Sequence, residues 1–378
     1  MRTMFAMMLL ATCLFGAACG EDDPKTNGDG GSDADSDTDA DSGFDAGAQC
    51  PPGAVTYDED VSGCTPAATD YMPRENGSAD DSWEACISDD DTYHEIEASV
   101  SSIARVQAYE DIGDLLWRKA EPAASDFLDA RVLYEADEGL DSRVVRRFDP
   151  HYDAPDTLSC EDEGVPEQYP DYCVGPATLQ PALIAAFADG SEGKDVIVNA
   201  ARIEAALQWF FYVSIYKEAT TCAETPKDCD SSWAYYCGGR ERDAPIGLAA
   251  EIDEWAPETH DRTYDGVLAV RCWRDLDEAV PAADTAMQER ARGQLDTALV
   301  RGMAILARQK LAELDCAKGD HRRAALEWLR VVVPLLDRET RARDAGEADL
   351  LMDEVARDAA DVDVAGATAA IDATYPCP

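Results

Sequence analysis

Apolar residues open the chain as one unbroken run and return, after a long polar gap, at helical spacing. The opening run, Met4 to Ala18 (MFAMMLLATCLFGAA), has fifteen residues, short of the roughly 20 that a membrane-spanning helix needs. Farther on, Ile96, Val100, Ile103, Ile112 and Leu116 fall on one helical face. Pro122 suits the first turn of a helix over AASDFLDARVLY, and another follows Pro181 and stops near Gly190. Residues 149–172 read as a long Pro-containing loop. The strongest signal is Lys194 to Thr220 (KDVIVNAARIEAALQWFFYVSIYKEAT), apolar around most of its circumference and therefore expected at the centre of the fold. Shorter helical stretches follow around Ser231–Cys237 and Ile246–Trp255, then Tyr264–Leu276, Asp284–Leu314, Arg322–Leu336 and Glu347–Thr374. Asp320 suits the N-cap of the penultimate helix, and Pro334 is expected to bend or end it. No alternating strand pattern of useful length and no 34-residue repeat occurs. The pattern predicts an all-α, multi-helix, bundle-like domain.

The opening run follows a single basic residue, Arg2, and ends in small residues, which makes a secretory signal. Gly16-Ala17-Ala18-Cys19 resembles the lipobox of bacterial lipoproteins, in which the cysteine receives a diacylglycerol and becomes the mature N-terminus. It has Gly16 where Leu is usual. Leu10-Ala11-Thr12-Cys13 keeps that Leu, but it places Thr beside the cleavage point and leaves a very short apolar region. Cys19 is preferred because charged sequence starts immediately after it. The expected organisation is a lipoprotein signal peptide over 1–18 and a lipidated cysteine with a disordered Asp-rich tether over 19–49. An irregular Cys-containing cap over 50–91 and a helical domain over 92–378 follow. The expected location is outside the cytoplasm, anchored by lipid to the cell envelope at the outer membrane or cell surface, so the N-terminal lipid is the expected membrane contact.

Composition sharpens this picture. Gly20 to Gln49 holds nine Asp, one Glu and one Lys, with almost nothing apolar to bury, so it cannot offset its ordering entropy. Asp33, Asp35, Asp37, Asp39 and Asp41 alternate, but the glycine and closing glutamate of an EF-hand loop are missing. The whole chain carries a net charge of −46, with 7 Lys against 25 Arg. Such a surface repels nucleic acid and anionic lipid and attracts cations; nucleic-acid binding is excluded on this ground. Eleven cysteines lie from Cys50 onward, and in an exported chain they read as disulfides. Cys160 and Cys173 close the loop CEDEGVPEQYPDYC, while Cys272 and Cys316 flank a long helical segment and tie its ends to neighbours. Cys222, Cys229 and Cys237 bracket a short loop. Cys50, Cys64, Cys86 and Cys377 are placed to join the termini. An odd count leaves one thiol free or paired between molecules.

Candidate chemistry is sparse. The chain has four histidines and no HExxH, GxSxG or P-loop motif, so no catalytic residues are assigned. His94 and Glu97 make an HxxE pair at helical spacing. On the central helix, Glu204, Gln208, Tyr212 and Glu218 recur at three- to six-residue steps among aromatic residues, and Asp230 and Glu241 flank the following WAYY turn. Hard cations want several oxygen ligands from rigid elements. These six residues are therefore the expected metal ligands, with Tyr212 favouring ferric iron. The competing reading of the same residues is a satisfied polar seam that fixes helix register.

The phrase Asp230-x-x-Trp233-Ala234-x-Tyr236-x-Gly238-x-x-Glu241, the aromatic-rich helix before it with its Tyr216 to Glu218 end, and GVLAVRCW at Gly266 to Trp273 resemble the algal Fe-assimilating periplasmic protein family. The likeness extends loosely over residues 95–335, with its specificity in the central part. Cys237 inside the phrase, a different loop after Glu241 and the lipid tether depart from that family. The resemblance implies a secreted, disulfide-containing helical protein that assists iron uptake, with iron as cargo and an uptake partner of unknown identity. The alternative expectation is a structural or partner-binding lipoprotein whose acidic surface only keeps it soluble.

Overall fold

The computed structural model describes residues 48–74, 81–137, 139–155 and 158–378. The apolar run, Cys13, Cys19 and the tether up to residue 47, with its alternating aspartates, lie outside the described residues. Among those described, thirteen α-helices and no strands are found, so the chain is all-α. The helices are α1 Val100–Leu115, α2 Ala124–Tyr134, α3 Asp141–Val144, α4 Val165–Gln168, α5 Gln180–Ser191, α6 Val196–Thr221 and α7 Lys227–Cys237. They continue with α8 Leu248–Trp255, α9 Pro257–Leu276, α10 Thr285–Cys316, α11 Gly319–Arg343, α12 Ala345–Val355 and α13 Val364–Thr374. No helix among the described residues is long and apolar enough to cross a membrane.

α6 is the axis of the fold because its sequence offers no polar face. Ile203, Leu207, Phe210, Phe211, Val213 and Ile215 are all fully buried, and α5, α7, α10 and α11 pack around the helix. α9 and α10 cross closely at Gly266, where a Cβ would lie 2.5 Å from the Leu295 Cα; a side chain there would force the two backbones apart. The apolar stripe read from Ile96 begins later than expected. Ile96 is 42% and Val100 71% exposed, and the buried face of α1 is carried by Val106, Tyr109 and Ile112, with Leu116 just beyond its end.

Several helix boundaries differ from those the sequence suggests: α9 starts at Pro257, seven residues before Tyr264, and the short α4 falls inside the stretch read as a loop. α11 runs through Pro334 to Arg343. Proline removes one intrahelical donor, but Val332, Val333, Leu335 and Leu336 around it are all buried, and that packing outweighs the local loss. Asp320 sits in the first turn of α11 and pairs with Arg323 at 2.7 Å, while Lys318 occupies the N-cap. The last predicted helix is two: Asp344 caps α12 by accepting from the Gly346 and Glu347 N–H groups, and Asp363 caps α13 by accepting from Gly366 N–H.

Among the described residues five disulfides are formed: Cys50–Cys316, Cys64–Cys377, Cys86–Cys272, Cys160–Cys173 and Cys222–Cys229. The Cys160–Cys173 loop closes as expected. Cys272 and Cys316 do join neighbours, and both neighbours belong to the N-terminal segment. That segment has one short 3-10 turn, Ile87–Asp90, and is held to α9, to the end of α10 and to the C-terminus by three of the five bridges. Among the described residues Cys237 is the free thiol, and it is buried.

Candidate metal centre and a polar cavity

The six residues expected to share one ion do not meet. Glu204 and Glu218 lie fourteen positions apart on one continuous helix, about 21 Å along its axis at 1.5 Å per residue, so sharing one stripe does not bring their ends together. Each residue has its own partner. Glu204 lies 3.5 Å from Lys310 Nζ, and Gln208 Nε2 donates to Glu251 Oε2 at 2.5 Å and to the Tyr109 hydroxyl at 3.2 Å. Tyr212 donates to Asp296 Oδ1 at 3.0 Å. Glu218 takes Arg147 and Lys217, both at 3.0 Å; burial would raise its pKa, but these two cations outweigh burial and lower it. Asp230 accepts from Tyr93 OH at 3.0 Å, from Ile96 N–H at 3.1 Å and from Glu97 N–H at 2.7 Å. Glu241 is exposed and accepts from Tyr264 OH at 2.9 Å. Glu204 and Gln208 line a common cavity.

The HxxE pair is likewise divided. His94 and Glu97 precede α1; His94 contacts Asp90 at 3.0 Å and Glu97 contacts Lys227 at 2.8 Å. Cys237 is no reactive thiol, since burial pushes its pKa up to about 12.

Around Tyr212 the structure assembles groups that the sequence left apart. The loop after α3 carries Asp149 and His151, and the Asp149 carboxylate accepts from the His151 backbone N–H at 3.0 Å. The same carboxylate oxygen lies 2.6 Å from the ring Nδ1. This turn fixes the imidazole so that Nε2 faces α10, 3.1 Å from Asp296 Oδ1. Tyr212 from α6 donates to that same oxygen. The ring stacks on Tyr216 with centroids 3.9 Å apart, and its side chain is only 4% exposed. Burial alone would lower the imidazole pKa, but hydrogen bonds with Asp149 and Asp296 raise it to about 9. Burial and the neighbouring Asp296 push the Tyr212 phenol well above its usual range. A cavity of about 270 Å³ opens beside the cluster, lined by Asp149, His151, Tyr212 and Arg338 among others.

A carboxylate on one ring nitrogen is a common way to fix a histidine's orientation; here the other nitrogen is turned to Asp296, which holds the proton on the ring. Asp149 fills the orienting role, and His151 Nε2, Asp296 and the Tyr212 oxygen face one another. Among the described residues no group of three or more His, Cys, Asp and Glu side chains is arranged to hold a metal ion, so such a site depends on the phenol as its third ligand. His151 and Asp296 were missed in the sequence because they lie 145 positions apart (151 against 296). The local signal was Asp149-x-His151, a carboxylate two residues before a histidine.

A second polar cluster surrounds Glu251 on α8, which accepts from both Gln208 and Tyr109. Burial, reinforced by the Glu204 charge, raises its pKa to about 8. Lys310 sits between Glu204 and Glu313, 3.3 Å from the latter. No family model, curated protein or solved structure matches the chain.

Proposed function

We propose that this protein is an exported lipoprotein, held to the cell envelope through a lipid on Cys19, that captures a metal cation without catalysis, ferric iron being the expected cargo. The observation that carries the cation reading is the convergence of His151 Nε2 and Tyr212 on one Asp296 oxygen, with Asp149 orienting the ring. Imidazole, carboxylate and phenolate together form a hard, mixed O/N donor set that suits ferric iron better than calcium, which takes oxygen ligands alone. The charges fit as well: two carboxylates face one imidazolium and the Arg338 guanidinium, 3.7 Å from Asp296, so loss of the imidazolium proton leaves room for added positive charge. Five disulfides support an oxidising compartment and hence export.

Titration with ferric nitrilotriacetate, with calcium as control, tests the reading. The expected result is saturable binding accompanied by a visible phenolate-to-iron charge-transfer band. Tyr212→Phe should remove the band, and His151→Ala should weaken binding at least tenfold, about 1.4 kcal/mol. Deleting residues 20–49 should leave the affinity unchanged. Loss of binding in that deletion, with Tyr212→Phe behaving as wild type, would mean that the ions condense on the acidic tether. For the anchor, Cys19→Ser should abolish palmitate labelling and release the protein from membranes; labelling that survives there and vanishes in Cys13→Ser assigns the lipid to Cys13.

A further inference from the structure

We propose that the cavity between α6, α8, α10 and α11 binds a neutral saccharide ring, at a site separate from the His151 cluster. The cavity measures about 490 Å³ and shares Trp117, Glu204, Trp255, Lys310 and Glu313 with an adjoining one of about 370 Å³, both within the range of about 300–1,000 Å³ usual for small-molecule sites.

Three observations select the ligand class. The first is a set of unsatisfied amides. Gln309 is 3% exposed and lines the cavity, yet neither its Oε1 nor its Nε2 has a partner. Gln208, 2% exposed, spends its Nε2 on Glu251 and Tyr109 and leaves its Oε1 unpaired. Buried polar groups of this kind are costly unless something supplies the missing hydrogen bonds. Gln309 needs a partner that both donates and accepts, as a hydroxyl does.

The second observation is charge. The Lys310 ammonium lies between Glu204 and Glu313, so an incoming cation meets a resident one. An incoming anion meets the two carboxylates, so a neutral ligand suffers neither repulsion. Glu251, held largely protonated at neutral pH by its burial, adds no further charge.

The third is the wall. Trp117 and Trp255 line the cavity with part of their indole surface exposed, while Trp328 behind them is fully buried beneath Lys310, with its indole N–H unpartnered. Indole faces are poor partners for water alone but pack well against the C–H face of a sugar, while N–H, amide and carboxyl groups take its hydroxyls. One apolar face and a hydroxylated rim are what the lining matches.

The test uses the full mature protein in detergent, with glucose, galactose, mannose and N-acetylglucosamine and their disaccharides as probes, and with choline and phosphate as charged controls. Binding is read by calorimetry and by tryptophan fluorescence. At least one sugar should bind saturably, and Trp255→Ala should weaken it at least tenfold. Gln309→Met should abolish sugar binding while raising the melting temperature, because it removes an unpaired amide and retains the volume. The proposal falls if no sugar changes either signal up to roughly 10 mM, a ligand weaker than about 3 kcal/mol, or if choline or phosphate binds in its place. It falls equally if Gln309→Met binds sugar as wild type does, or if it lowers the melting temperature, which would show the amide to be satisfied within the protein.

Discussion

Asp230 separates a structural carboxylate from a metal ligand, and its replacement has a size that the structure sets. The side chain is fully buried and accepts hydrogen bonds from three donors: Tyr93 OH and the backbone N–H groups of Ile96 and Glu97. It thereby fastens the segment before α1 to the first turn of α7, while Tyr93 stacks on Trp233 with centroids 4.5 Å apart. Asp230→Ala leaves all three donors unpaired. Tyr93 is 5% exposed and cannot recruit water easily, so its hydroxyl carries a penalty of about 1–3 kcal/mol. The two N–H groups are part-buried and recover some hydration, at about 0.5–1 kcal/mol each. The expected loss is therefore about 2–5 kcal/mol. Asp230→Asn keeps one acceptor oxygen and should lose about half as much. Equilibrium urea unfolding, with and without a metal chelator, measures both variants. A loss below about 1 kcal/mol in Asp230→Ala would refute the account. So would a chelator that destabilises the wild type as much as the substitution does, because Asp230 would then act through a bound ion.

The Glu251 carboxyl gives a pH signature. Its folded pKa is raised from the ordinary 4.5 to about 8, so the folded state keeps a proton that the unfolded chain has released. Stability contributed by this group is unaffected below about pH 4.5, falls as pH rises toward about 8 and stays low above it. Melting temperatures across that window should decline more steeply in the wild type than in Glu251→Gln, which cannot ionise; equal slopes would sink the assignment. For the cysteines, peptide mapping from Cys50 onward should recover the five bridges and a single free thiol at Cys237, alkylated only after denaturation. Modification of Cys237 in the native protein, or a different set of pairs, would overturn it.

The helices were legible because burial along them repeats at helical spacing, most plainly in α6, where nearly every position is apolar. What misled was local chemistry taken without its surroundings. Pro334 reads as a helix end, yet four buried neighbours carry α11 past it. The alanine-rich stretch from Glu347 reads as one helix, although Asp363 is the N-cap that marks a second start. The candidate site failed for a different reason. Helical spacing shows which side chains share a stripe, but the partners of Glu204, Tyr212, Glu218 and Asp230 are Lys310, Asp296, Arg147 and Tyr93, all of them more than seventy positions distant. Such pairings are set by how helices pack, and single-sequence periodicity contains no record of that. The sequence's competing reading, a satisfied polar seam, describes most of these residues better than a shared ion does.

The Cys50–Cys316 bridge decides where mechanical load enters the fold. Cys50 stands among the first described residues, and its bond leads into the C-terminal end of α10, a 32-residue helix packed on α9 and α11. Tension drawn on the chain upstream of Cys50 is therefore delivered to the interior scaffold at its first covalent crossing. It does not peel the irregular segment away residue by residue. Behind that point, Cys64–Cys377 and Cys86–Cys272 hold the remainder slack. A molecule pulled by its leading end should yield as a unit or scarcely at all, and reduction of a single bond would turn that rupture into gradual unravelling.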